Sequence, residues 1–183
     1  LFRPVLFNIG KHLVSLFFKT GIFKSSTTPL EFEAKMPQNY LMKLSDPQAA
    51  LLLRQFVRLN EICQHSQKVT NIYYEALKDH VGIRVLKVEP NFTFSLIRYP
   101  IVAEKRQDLI TLFEEHGIEL GEWFTAPLSS PAINHDLFGY MFGTCPNAEE
   151  ISKKICNLPV HVRVDKTDKG KILSLCRTVG VVN

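Results

Sequence analysis

Leu44-Ser45-Asp46-Pro47-Gln48-Ala49-Ala50-Leu51-Leu52 decides how this chain is organised, because it carries the signals of a helix start in the right order. Ser45 can cap the helix, Gln48 stands three residues on as a capping box requires, and Pro47 sits in the first turn, where its missing N–H costs nothing. Apolar or small residues then recur at spacings of three and four: Leu52, Phe56, Leu59, Cys63, Ser66, Val69, Tyr73 and Leu77. That spacing predicts one buried stripe on a helix running to about Asp79. At about 1.5 Å per residue such a helix reaches about 50 Å, more than one small domain needs, so it is expected to bridge two bodies.

Beyond Gly82 the texture changes. Phe92, Phe94 and Leu96 alternate with Thr93, Ser95 and Ile97, which predicts a strand with one face on a core. A helix is expected from Glu104 to His116, with Leu109, Leu112 and Phe113 inward and Gly117 as its end. Ile118 to Leu120 suggests a short strand, and residues 121 to 143, holding Pro127, Pro131 and several glycines, a long irregular loop. A helix over 146–157, an extended piece over 160–164 and a final helix capped by Asp165 complete the chain. Upstream, Ser25 to Asn39, with Pro29 and Pro37, suggests a connecting loop. Residues 1 to 28 are rich in phenylalanine and leucine but broken by Arg3, Asn8, Lys11, His12 and Lys19, too often for a membrane span of about 20 apolar residues. Former interior surface is the expected role of this segment, with a helix lying on a membrane surface as the alternative.

Composition excludes several classes of function. A hydrophobic share of 45% with 22% charged residues is ordinary for a folded soluble chain and argues against disorder. The formal charge of +4 is spread along the sequence instead of forming a stripe, which argues against nucleic acid as the main partner and remains compatible with anionic small molecules. Cys63, Cys145, Cys156 and Cys176 form no Cys-x-x-Cys pair and have no histidine spacing of a zinc site, so reduced thiols in a cytoplasmic protein are expected and no metal site is assigned.

Several segments, in order, resemble the carboxyl-terminal part of the DegT/DnrJ family of pyridoxal-phosphate sugar aminotransferases. Ser45-Asp46-Pro47-Gln48-Ala49-Ala50 with Gln55, Leu59 and Glu61 is similar to the helix after the family's Asn-Tyr-Arg-Met segment. Arg106-Gln107-Asp108-Leu109-Ile110 and His116-Gly117-Ile118 resemble its helix and Gly-Ile turn. Cys145-Pro146-Asn147-Ala148-Glu149-Glu150 and Leu158-Pro159-Val160-His161 resemble its Ala-Glu helix and Leu-Pro-Leu-His segment. The resemblance covers about residues 39 to 180 and implies an α/β fold: the C-terminal small domain of an aspartate-aminotransferase-like, fold type I enzyme. The expected division is an apolar segment and loop at 1–44, left over from the large domain, an interdomain helix at 45–80, and the small domain at 81–183.

The same resemblance implies pyridoxal 5'-phosphate as cofactor, an amino-acid donor, a keto-sugar acceptor attached to a nucleotide, and a homodimer. It also implies a lysine bonded to the cofactor. Lys24-Ser25-Ser26-Thr27-Thr28 superficially resembles that lysine segment, but Pro29-Leu30-Glu31 follows where the family has Gly-Glu-Gly-Gly. With Leu1 in place of an initiating methionine, the catalytic lysine, or the histidine that replaces it in dehydratase members, is expected upstream, and the chain alone is expected to be inactive. The cofactor-binding candidates are Asn39 and Lys43. Anchored on Ser45, Lys43 takes the place of the family's arginine, whereas anchored on the letters Asn39-Tyr40 match and the basic residue is lost. Trp123 and His161 are the substrate-binding candidates, each with an ordinary packing role as its competitor. A different class of function, a non-catalytic interaction or membrane-surface module built on this small domain, stays open.

Overall fold

The computed structural model describes residues 12–17, 19–20, 29–37, 40–87, 95–128 and 133–179. The chain divides into two units, one of residues 1–42 with 132–141, the other of residues 43–131 with 142–183. In the first, residues 12–17 are helical, Pro29–Phe32 makes a single helical turn, and His135–Phe138 forms a 3-10 turn. Asn134 opens that turn by accepting from Asp136 N at 3.2 Å, and Gly139, at φ 68°, closes it.

The second unit begins where the sequence says it should. The Ser45 backbone N–H donates to Gln48 Oε1 at 2.9 Å, and the Ser45 hydroxyl donates to the same oxygen at 3.0 Å, so the cap forms ahead of α1 (Asp46–Val57). The single long helix does not form. Arg58 leaves the helical region at φ −97° and ψ 4°, and α2 (Leu59–Leu77) starts immediately after it. The Arg58 guanidinium reaches forward to Glu61 at 3.1 and 3.2 Å, placing a carboxylate in the first turn of α2, where the helix dipole favours it. The stripe is buried only in its second half: Ser66, Val69, Tyr73 and Leu77 are inside, while Leu52, Phe56 and Leu59 are exposed.

The face of α2 packs on an antiparallel sheet of order β1-β2-β3, formed by Ile83–Val85, Arg98–Ala103 and Ile155–Pro159. The strand thus lies just after the expected one. Residues 92–94 lie outside the described residues, and residues 95–97 are not strand. Pro100 hid β2, because proline is rare in a central strand. The ladder shows how it is tolerated. Pro100 stands opposite Asn157, whose own N–H and C=O bond to Gly121 at 2.7 and 2.9 Å. Their pair is therefore a non-hydrogen-bonded one, and the missing N–H of Pro100 faces the side where β1 has ended at Val85.

Alternate residues Tyr99, Ile101 and Ala103 enter the core. There the Tyr73 hydroxyl donates to Pro159 O at 3.0 Å and the Tyr99 hydroxyl to Leu86 O at 3.2 Å, with the two rings 5.9 Å apart. Burial raises both phenols, Tyr99 to about 12, so each remains a donor at neutral pH. Cys156 and Cys176 are also fully buried, and burial pushes each thiol up to about 12. They act as small apolar core residues.

α3 (Arg106–Glu115) buries Leu109, Ile110 and Phe113 and stops where glycine was expected to stop it. Gly117 has φ +71°, its N–H bonds to Glu114 O at 2.9 Å, and Ile118 N–H bonds to Phe113 O at 2.9 Å, the Schellman arrangement. Lys171 Nζ donates to His116 O at 2.6 Å, a cation on the negative end of the helix. α4 (Pro146–Lys154) ends three residues short of the expected Asn157, because Ile155 to Pro159 are taken up by β3, and residues 161–163 turn where an extended piece was expected. Residues 118–120 form no strand.

α5 (Lys166–Thr178) is capped by Asp165, which accepts from Asp168 N at 2.9 Å while Asp165 N donates to Asp168 Oδ2 at 3.2 Å. It buries Ile172, Leu175 and Cys176 in the same core. Asp165→Ala should therefore lower stability by about 1 kcal/mol, read as a lower urea midpoint with an unchanged slope.

Candidate functional site

The outer edge of β3 carries a corner that sequence reasoning placed only in part. Gly121 makes a single antiparallel bridge to Asn157, continuing the sheet by one residue. Asn157 is buried, and its side-chain Nδ2 donates both to Gly121 O at 3.2 Å and to Trp123 O. The segment is clamped a second time by Arg106, which donates from Nε to Ile155 O at 2.9 Å and from Nη2 to Glu122 at 2.6 Å. Beside it, Lys154 pairs with Glu104 at 2.7 Å, which ties α4 to the end of β2, and with Glu150 of its own helix at 3.1 Å.

What this clamp presents is aromatic and cationic. Trp123 is 62% exposed in this chain. The Arg98 guanidinium carbon lies 4.9 Å from the Trp123 ring centroid, in the range of a cation–π contact, and the Phe124 ring follows at 6.3 Å, nearly parallel. No acidic side chain pairs with Arg98 among the described residues, so its N–H groups remain open to a ligand. Gly121 makes room for it. A Cβ at position 121 would collide with the Arg98 Nη1 and stand 3.2 Å from both Arg98 Cδ and Asn157 Cβ.

The remaining candidates do not join this corner. Lys43 lies exposed just ahead of the Ser45 cap and has no ion-pair partner among the described residues. Asn39 and Lys24 lie outside the described residues. His161 sits in the turn after β3, where its Nδ1 accepts from Arg163 N at 3.3 Å and Val164 N–H closes the turn onto His161 O at 2.9 Å. Loss of water around the ring, reinforced by the Arg163 charge, lowers its pKa, so the neutral imidazole is favoured. No hydrogen bond, ion pair or ring contact links Lys43, Trp123 and His161. Arg98, Gly121 and Asn157 were missed. The available signal was Asn157 itself, a residue type uncommon in strands and inside an apolar run, Ile155-Cys156-Asn157-Leu158.

Among the described residues no cluster of three or more histidine, cysteine or acidic side chains could hold a metal ion, and no helix is long and apolar enough to cross a membrane. Residues 16–176 match the family model described as the DegT/DnrJ/EryC1/StrS aminotransferase family. The chain belongs to this family.

A curated relative, the pleiotropic regulatory protein of Geobacillus stearothermophilus, is 29% identical over 123 residues, which are 66% of this chain and 33% of the relative. Among solved structures, a DegT DnrJ EryC1 StrS aminotransferase from Brucella abortus superposes with a TM-score of 0.66 at 23% identity, covering 76% of this chain and 37% of that one. DesV of S. venezuelae, solved in complex with a ketimine intermediate, gives 0.65 at 17% identity, covering 84% of this chain and 43% of that one. The fold is the mixed α/β fold of fold type I sugar aminotransferases, matched over part of their length.

Because the Arg98–Trp123 contact depends on the bare backbone at position 121, Gly121→Ala should leave the sheet folded and displace the guanidinium from the ring. Trp123 is the only tryptophan, so its fluorescence reports this directly. The emission of Gly121→Ala should match that of Arg98→Ala and differ from the parent, with circular dichroism unchanged.

Proposed function

We propose that this chain is the small-domain part of a pyridoxal-phosphate-dependent aminotransferase that moves an amino group from an amino acid to a keto sugar carried on a nucleotide. The observation that carries this reading is the family match over residues 16–176. The chain spans 33% to 43% of the relatives and structures compared, so the activity is assigned to a complete enzyme, expected to be a cytoplasmic homodimer in which residues 45–80 bridge the two bodies of each subunit.

The residues present suit the cofactor at one point. Lys43 offers an unpaired, exposed ammonium next to a capped helix start, the donor chemistry that a phosphate dianion requires. Asn39, four positions before it, is the phosphate contact proposed in the alternative register. When bound, the cofactor supplies the electron sink for amino transfer. The chain's own contribution is binding and orientation. One of the two, Lys43 or Asn39, contacts the phosphate or another anionic group according to the register, and Trp123, held by Asn157 and overlaid by Arg98, forms a wall where a flat or sugar ring can rest on the indole while its anionic group meets the guanidinium. His161, neutral at physiological pH, is available to hydrogen-bond a substrate hydroxyl.

A second reading is favoured by one observation, the name of the Geobacillus relative, a regulatory protein. On that reading the same domain serves as a non-catalytic interaction or membrane-surface module. One experiment separates them. The product of the complete reading frame around Leu1 is incubated with pyridoxal phosphate, reduced with borohydride and mapped by mass spectrometry. The enzyme reading expects one stoichiometrically labelled lysine upstream of Leu1, and none in residues 1–183. Stoichiometric label on Lys24 or another lysine of this chain would overturn the assignment of the catalytic residue, and a reading frame that starts near Leu1 and takes no label would favour the module.

A further inference from the structure

Asn157 is a polar residue in an otherwise apolar strand, and its hydrogen bonds converge on one short segment. Cys156 and Leu158 turn to the core, where both are fully buried, so alternation directs the Asn157 side chain to the opposite face of the sheet. It is buried there as well, against residues 121–123. Its backbone N–H and C=O exchange bonds with Gly121 at 2.7 and 2.9 Å, and its Nδ2 donates to Gly121 O at 3.2 Å and to Trp123 O. Two carbonyls, two residues apart, are thus met by one nitrogen carrying two N–H groups. Serine, with one hydroxyl hydrogen, and an ionised aspartate, with none, cannot meet both. Glu122, between them, is held by Arg106 at 2.6 Å, so each residue of the segment is tied to the sheet or to the helix beside it.

We infer that Asn157 is a positioning residue for the acceptor: it acts through Trp123, setting where the indole stands when the ring and anionic group of a nucleoside diphosphate reach it. This rests on the reading of Trp123 as a wall of the acceptor site. Both amide N–H groups of Asn157 are engaged, so its side chain does not meet the ligand itself. The indole is fixed from two strands. β3 holds its backbone through Asn157, and β2, paired with β3 at Arg98 and Pro159, carries the guanidinium that lies 4.9 Å from the ring centroid. Ordering a side chain at the moment of binding lowers affinity, and an indole already set by a buried amide of the folded ladder avoids that cost. The effect is confined to the acceptor side. Lys43, ahead of α1, shares no hydrogen bond or ion pair with this clamp among the described residues, so cofactor affinity is independent of Asn157.

The chain itself gives the first readout, through its single tryptophan. Asn157→Asp keeps the shape and removes the amide N–H groups, and Asn157→Ser keeps the backbone bridge to Gly121. Both should lower the fluorescence anisotropy of Trp123 while circular dichroism stays the same. Ile172→Val loosens the same core from α5 without touching the clamp. It should lower the urea midpoint and leave the anisotropy at the parent value, which separates positioning from a general loss of stability. The second readout is calorimetric titration of uridine diphosphate and of thymidine diphosphate into the product of the complete reading frame. At least one should bind the parent, and both Asn157 variants should bind it about tenfold more weakly, with affinity for pyridoxal phosphate unchanged. Parent-like anisotropy in both variants would overturn the inference, as would a parent that binds neither diphosphate, or cofactor affinity that falls in step with diphosphate affinity. Failure of the aminotransferase reading shows separately, as the absence of borohydride label upstream of Leu1. A labelled enzyme whose diphosphate affinity is indifferent to Asn157 overturns the positioning role alone.

Discussion

The second unit rests on the burial of the latter half of α2 against the sheet. Val69, Tyr73 and Leu77 are fully buried, and the Tyr73 hydroxyl ends on Pro159 O, so one residue contributes both apolar area and a satisfied polar tip to the same contact. Deep burial of a phenol without that partner would leave an unpaired donor, which costs about 1–3 kcal/mol. From this contact the other elements take their places. β2 and β3 supply the opposing wall, α5 closes the core through Ile172 and Cys176, and α3 joins through Leu109 and Phe113.

That core also explains why the candidate site is stiff although its aromatic surface is exposed. Asn157 belongs to β3, the strand that receives the Tyr73 contact two residues later at Pro159, so its amide is fixed by the ladder before it reaches Trp123 O. The loop is thereby carried on the sheet instead of hanging from it. An indole held by its backbone and overlaid by a guanidinium without an acidic partner forms a fixed aromatic and cationic surface at the edge of the sheet.

Local chemistry was legible in the sequence. The Ser45 and Asp165 caps and the Gly117 stop each depend on a few neighbouring residues, and each forms as their spacing predicted. Long-range choices were not. Periodicity showed a stripe from Leu52 to Leu77 but carries no information on whether a partner lies opposite, so the exposed half in α1 and the buried half in α2 look alike in the sequence, as does the break at Arg58. β2 and β3 were concealed by Pro100 and Asn157, whose acceptability rests on the bridge to Gly121, a contact 36 residues away. Trp123 was expected on a wall of the substrate pocket; Arg98 comes from the strand that the alternation placed too early, and Asn157 from β3, whose first residues were read as the end of a helix.

Hydrogen exchange, followed residue by residue, tests the anchoring role of α2 most directly. The amides of Ser66 to Leu77 should exchange most slowly, together with those of Tyr99, Ile101 to Ala103 and Cys156 to Leu158, and should do so as one cooperative unit, while the amides of α1 exchange much faster. Equal protection along α1 and α2, or fast exchange across Val69 to Leu77 while α3 and α5 stay protected, would contradict the claim that the second half of the stripe anchors the fold.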